Sequence, residues 1–247
     1  MEFVLDRVIK QNTENVNLLK TKDYNIFSVL QIQSKEVLIC RMIADLLNPR
    51  GQHGAVAEYL KIFLRDCLGM EKMDTKLADQ AIVTAEYAID DERRIDIVIE
   101  IGSHFLPIEV KIYAADQKSQ CFDYYQYAKR RDAQAKVYYL TLDGHRPGKD
   151  STSSGSQSVP EEDIVCLSFR EHILNWLKAC KSCENTGMVP ILEQFIQNIE
   201  QISGYISEKV RNMVIDELLK SGDSLRAGMQ IADSINAAKA KRFCSKL

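Results

Sequence analysis

Arg93-Arg94-Ile95-Asp96-Ile97-Val98-Ile99-Glu100 and, after a short turn, Pro107-Ile108-Glu109-Val110-Lys111-Ile112 decide how this chain folds. Both runs alternate apolar and polar residues with a period of two, the mark of strands whose successive side chains point to opposite faces. Ile95, Ile97, Ile99 and Ile101 are expected on one face, with Asp96 on the other. Likewise Ile108, Val110 and Ile112 share a face, leaving Glu109 and Lys111 together opposite them. A hairpin bent about Gly102-Ser103-His104 sets Asp96 across from Glu109 or Lys111 on one sheet surface. Two carboxylates and an ammonium then converge, the donor set that a hard divalent cation beside a phosphodiester requires.

Working outward, residues 81–88, 94–101 and 106–113 form a three-stranded meander with a turn at Asp90-Asp91-Glu92. A helix over 117–131 follows, then a strong strand over 136–142 and a weaker one over 164–167. This order predicts an α/β fold, a mixed sheet with a crossover helix, flanked by additional N- and C-terminal helices. Residues 1–70 read as helical. The clearest helix spans 34–48, with Val37, Leu38, Met42, Ile43, Leu46 and Leu47 at helical spacing, Ser34 as N-cap, and Pro49 and Gly51 ending it. A second helix is expected from about 54 to 67. Beyond Ser168 the pattern is helical over 169–180, 189–202 and from 208 to about 241. The organisation is one compact domain in three parts: N-terminal helices (1–80), an α/β core (81–168) and a helical extension (169–247). The polar stretch 144–158 reads as a mobile surface insertion, with Arg146 and Lys149 available to close over a phosphate backbone.

Composition narrows the function. The chain has 247 residues, 45% hydrophobic and 27% charged, enough for a substantial core. A net charge of −3 gives no global basic field, but metal ions neutralise phosphates locally. No apolar run is long enough to span a bilayer, and no membrane partner is expected. The start, Met1-Glu2-Phe3-Val4-Leu5-Asp6, lacks a signal-peptide pattern. Seven scattered cysteines point to reduced thiols in the cytoplasm.

Asp…Glu-x-Lys alone is weak, since a chain this charged contains roughly one Glu-x-Lys by accident. Asp116-Gln117-Lys118 is such a decoy, opening a helix rather than alternating along a strand. The competing reading is a surface ladder of ion pairs worth little energetically. Three features weigh against it. Gln120 and Tyr124 stand at i and i+4 on the helix after the Glu-x-Lys strand. Glu36 opens the apolar helix, where an anion is favoured. Asn48-Pro49-Arg50-Gly51-Gln52-His53-Gly54 makes a tight polar connection.

With Glu36, Leu46-Leu47-Asn48-Pro49, His53-Gly54, Arg94-Ile95-Asp96-Ile97, Glu109-Val110-Lys111 and Gln120…Tyr124 in that order, residues 25–145 resemble the PD-(D/E)XK nuclease superfamily. They are most similar to its RecB-like branch and a bacterial family within it. The resemblance implies a restriction-endonuclease-like mixed sheet and a nuclease that hydrolyses phosphodiesters with Mg²⁺ or Mn²⁺. It implies that Asp96, Glu109 and the Val110 carbonyl ligate the metal, with Glu36 reaching it directly or through water. Lys111 would orient or deprotonate the attacking water, making Asp96, Glu109, Lys111 and Glu36 the catalytic set. Gln120 and Tyr124 would contact the substrate backbone or brace the site, Arg94 would hold a phosphate, and His53 is a further substrate-binding candidate. The relatives carry a histidine three residues after the helix glutamate, and Ile39 stands there in this chain. DNA is favoured over RNA as partner, with phage defence, restriction or repair as settings. A catalytically inactive nucleic-acid-binding or scaffold protein of the same fold is the alternative. Whether a homo-oligomer or a partner protein supplies targeting stays open.

Other motifs carry less. Cys180-Lys181-Ser182-Cys183 lacks a nearby third cysteine, the next being Cys244, which disfavours an iron–sulfur cluster. Lys129-Arg130-Arg131 reads chiefly as a solvated helix end, and the basic tail Lys239, Lys241, Arg242 and Lys246 as solvent-exposed. Trp176 reads as a packing anchor.

Overall fold

Strand pairing follows the period-two runs. β1 (Ile82–Ala88), β2 (Arg94–Ile101) and β3 (His104–Lys111) form an antiparallel meander. β4 (Val137–Thr141) and β5 (Ile164–Ser168) continue the sheet in parallel, in the order β1-β2-β3-β4-β5. The computed structural model describes residues 24–71, 74–183, 187–205 and 208–244. The helical reading of residues 1–23 lies outside these, as do the side chains of Lys239, Lys241, Arg242 and Lys246.

Two apolar layers sandwich the sheet. On one face α1 (Glu36–Leu47), α2 (Glu58–Asp66), α4 (Leu174–Lys181) and α5 (Val189–Ile202) contribute to a core that includes Ile39, Ile43, Leu47, Ile97, Ile99, Ile108 and Val110. Trp176 is wholly buried in this layer, its indole N–H donating to the Tyr59 carbonyl at 2.8 Å. On the other face the crossover helix α3 (Gln120–Arg131) joins Val98, Phe105, Val137 and Tyr139 through Cys121, Tyr124 and Ala128. Burying each large aliphatic side chain contributes about 1.5–3 kcal/mol, so the alternation is enforced on both faces.

The local expectations need four corrections. Helix α1 starts at Glu36 with Lys35, not Ser34, as N-cap; the Lys35 carbonyl already accepts from Leu38 and Ile39, one residue later than expected. Ile95 does not share the face of Ile97, and belongs instead to the α3-side cluster with Val98 and Phe105. The helix expected to begin at 169 opens with a wide π turn over Phe169–Ile173 before α4. Residues 144–158 are not a loose insertion. They form a helical turn (Lys149–Thr152) and a small ribbon (Ser153–Ser154 with Gln157–Ser158), and Ser151 is fully buried.

Contacts divide the chain into two units, one spanning Asn25–Tyr205. Residues 169–205, grouped with the helical extension by sequence, fall in the same unit as the sheet. The described part of the second unit holds α6 (Glu208–Leu219) and α7 (Gly222–Cys244). The single helix expected from 208 is interrupted because the Ser221 hydroxyl accepts from the Ser224 N–H and starts a new helix.

Candidate active site

Asp96 sits where the ladders around β2 lapse. The β1–β2 register pairs Ala85 with Ile97 and Tyr87 with Ile95, omitting Glu86 and Asp96 between them. Glu86 has φ +53°, a left-handed backbone that kinks β1 at that point, and Arg41 of α1 holds its carboxylate at 2.6 Å. On the other side the β2–β3 ladder ends at Ile97–Ile108, one step short of Asp96 and Glu109. The Asp96 side chain takes over there, Oδ2 accepting from the Val110 N–H at 2.8 Å. Ile95 leaves the face of Ile97 across this same step.

Glu109 and Lys111 lie on the α3 face of β3, alternating with Ile108, Val110 and Ile112 of the opposite core. Glu109 is 1% exposed and Lys111 7%. Lys111 Nζ donates to Glu109 Oε1 at 2.5 Å, whereas Glu109 Oε2 is buried with no hydrogen-bond partner. Burial pushes the Glu109 carboxyl well above the usual carboxylate range, and Asp96 adds to the rise. Burial raises Asp96 as well, against the Val110 N–H and Lys111, which lower it. For Lys111 burial acts downward, but Glu109, Asp96 and Glu36 outweigh it and hold the ammonium above its ordinary value. Three acids thus act on one amine, two from the hairpin and Glu36 from α1.

Glu36 approaches from α1: its Oε2 accepts from the Ile112 N–H at 2.8 Å, seventy-six residues away. It therefore caps the strand that carries Glu109 and Lys111. One turn further on, Cys40 is buried against the group, its thiol pushed up by burial and then by Asp96, Glu36 and Glu109. Gln120 and Tyr124 are brought together on α3, Gln120 Nε2 donating to the Tyr124 hydroxyl at 3.0 Å. That hydroxyl donates to the Arg94 carbonyl at 2.5 Å. Both side chains are buried, so they brace β2 two residues before Asp96. Arg94 itself is exposed.

His53 is engaged elsewhere. It stacks on Tyr59 at 4.8 Å, its Nδ1 accepts from the Ala55 N–H and its Nε2 donates to the Asn48 carbonyl, closing the connection from α1 to α2. Arg93 escaped the sequence reading. Its guanidinium donates to Asp123, to Gln117 Oε1 and to the Lys118 carbonyl, clamping the first turn of α3 to the start of β2. Only its position beside Arg94 hinted at this. The decoy Asp116 accepts from the Tyr139 hydroxyl and the Gly148 N–H, bonds that tie the 144–158 segment down. Cys180 is buried and Cys183 bonds the Ala179 carbonyl.

No three His, Cys, Asp or Glu side chains gather as a metal group among the described residues. The oxygen donors that do converge are the Asp96 and Glu109 carboxylates. Such hard oxygen donors, one of them an orphaned buried carboxylate atom, fit a divalent cation.

The mixed sheet with helices on both faces is a restriction-endonuclease-like α/β fold. A family model described as the PD-(D/E)XK nuclease superfamily matches residues 24–206, and the chain belongs to that superfamily. No curated protein and no solved structure gives a match. Among the described residues no helix is long and apolar enough to cross a membrane.

Proposed function

We propose that this chain is a Mg²⁺- or Mn²⁺-dependent nuclease that hydrolyses phosphodiester bonds of DNA in the cytoplasm, serving phage defence, restriction or repair. The observation that carries this reading is Glu109 Oε2, a buried carboxylate oxygen that meets no N–H donor and has only the Asp96 carboxyl to share a proton with. An unsatisfied buried acceptor costs about 1–3 kcal/mol, more when charged. A dication shared by the two carboxylates removes that cost.

Asp96 and Glu109 would hold the cation, the Val110 carbonyl would add a third oxygen, and Glu36 would reach it through water while keeping its bond to Ile112. When bound, the cation supplies Lewis-acid polarisation of the scissile phosphate and offsets its charge. Lys111 orients the attacking water and meets the negative charge that builds on the phosphate oxygens. Gln120 and Tyr124 hold β2 in place, and exposed Arg94 contacts a phosphate. His53 serves indirectly, by fixing the chain between α1 and α2. A silent scaffold would gain nothing from keeping both acids and the amine buried together.

The test incubates labelled single-stranded DNA, duplex DNA and RNA with Mg²⁺ or Mn²⁺, comparing the native chain with Asp96→Ala and Lys111→Ala. Metal-dependent hydrolysis lost in both variants supports the proposal. Hydrolysis that survives both, or none with any substrate, overturns it.

A further inference from the structure

The loop that leaves β3 places an uncovered ring beside the carboxylates. Tyr113, two residues past Lys111, is 68% exposed and has no hydrogen bond or ring contact among the described residues. Its backbone is anchored, because Glu36 grips the adjacent Ile112 N–H. The same bond brings the first turn of α1 to this point, and that turn carries Val37 and Leu38, 43% and 39% exposed. A lone exposed apolar residue needs no explanation, but three on two segments joined next to a buried acid pair do.

Cations gather around the start of β2, two residues before Asp96. Arg94, Lys118 and Lys149 are exposed and have no carboxylate partner among the described residues. Neighbouring residues tie these segments together: the Arg93 guanidinium donates to the Lys118 carbonyl at 2.6 Å, and the Ser119 N–H to the Asp150 carbonyl at 2.7 Å. Away from the site, Lys129, Arg131, Lys178 and Lys181 are paired with Asp163, Glu100, Glu200 and Glu193. Of the nearby acids, Asp123 is neutralised by Arg93 and Asp116 is occupied by Tyr139 and Gly148, while Asp150 stays exposed beside Lys149. A bare ring just past Lys111 and unpaired cations around the start of β2 suit a strand whose phosphates run past the cations while one base stacks on the ring.

We infer that Tyr113 is a stacking platform for an unpaired base beside the scissile phosphate, so that the substrate is single-stranded or frayed at the cleavage point. In an intact duplex both faces of each base are covered by its neighbours, and the ring has nothing to receive. The location of the scissile phosphate rests on the nuclease reading; the stacking does not require cleavage.

The experiment uses the full chain with Ca²⁺ and a single-stranded DNA oligonucleotide containing 2-aminopurine, with a closed duplex hairpin as comparison. Native protein and Tyr113→Phe are expected to quench the probe and bind the single strand alike. Tyr113→Ala is expected to weaken that binding roughly 5- to 150-fold, the loss of one base–aromatic stack, and to leave hairpin binding unchanged. An RNA strand bound with the same dependence supports the inference equally, since the ring reads the base and not the sugar. Unchanged single-strand binding by Tyr113→Ala, or an equal loss on the hairpin, overturns it. Tyr113-dependent binding with no hydrolysis once Mg²⁺ or Mn²⁺ replaces Ca²⁺ would instead sink the nuclease reading and leave the platform standing.

Discussion

Divalent cation should raise the melting temperature of this protein, and the rise should vanish when either acid of the pair is neutralised. A ligand bound only by the folded state at about 100 times its dissociation constant stabilises by about 2.7 kcal/mol. For a unit the size of Asn25–Tyr205 each kcal/mol moves the midpoint by about 2–4 °C, which gives a rise of about 5–11 °C. The sign of the pH effect follows from Glu109 and Asp96, both raised by burial. Without cation, the proton on this pair contributes stability below the ordinary carboxylate value, and that contribution is lost as pH rises through the raised one. The cation displaces the proton, so its stabilisation should grow from acid to alkaline pH. Calorimetry with Mg²⁺ or Mn²⁺ titrated to saturation at pH 6 and pH 8 measures this, with Asp96→Asn and Glu109→Gln as comparisons. The readout is the cation-induced shift within each variant, because Glu109→Gln also strips Lys111 of its buried partner and lowers the starting midpoint. An equal shift in all three proteins, or none in the native chain at pH 8, refutes the reasoning.

Lys111→Met should reduce single-turnover hydrolysis by about 100-fold or more while retaining most of the cation-induced shift, since it removes a donor to the reacting phosphate and not a ligand. Tyr124→Phe leaves the Arg94 carbonyl without its donor and should cost about 1–3 kcal/mol in urea unfolding, with a fall in kcat. Gly51→Ala should be more damaging than its size suggests. The added Cβ meets the Asp45 carbonyl oxygen and the His53 ring, so expression or the denaturation midpoint should drop sharply.

The sequence made the hairpin legible because its signal is repeated: each isoleucine from Ile97 to Ile101 and from Ile108 to Ile112 reports the same face. Asp96 on the face of Glu109 and Lys111 follows from that repetition. The lapse at Ile95 was hidden because it coincides with the left-handed backbone of Glu86, on another strand, and an alternating string carries no record of its neighbour's kink. Gln120 and Tyr124 could be placed on one helical face, but their common target, the Arg94 carbonyl, is a main-chain atom without a sequence signature. The same holds for Glu36, whose partner is the Ile112 N–H. The polar stretch 144–158 looked loose because its order comes from Asp116, Ser119 and Cys121, residues too far back in the chain for a local pattern to connect. Arg93 was passed over for Arg94, since adjacent arginines differ only in which side of the strand each one takes.

The two-residue bend at Gly102-Ser103 acts as a ruler for the whole centre. Gly102 takes φ +59°, and Ile101 pairs with His104 directly across it. One residue gained or lost there would rotate Glu109 and Lys111 into the layer beneath α1 and send Ile108 and Val110 toward the acids. The Gly155 turn has open space around it, whereas a change of length at the Gly102 bend would erase the site while leaving every one of its residues in the chain. Descendants of this protein would thus lose the proposed activity through spacing alone, with no substitution at all.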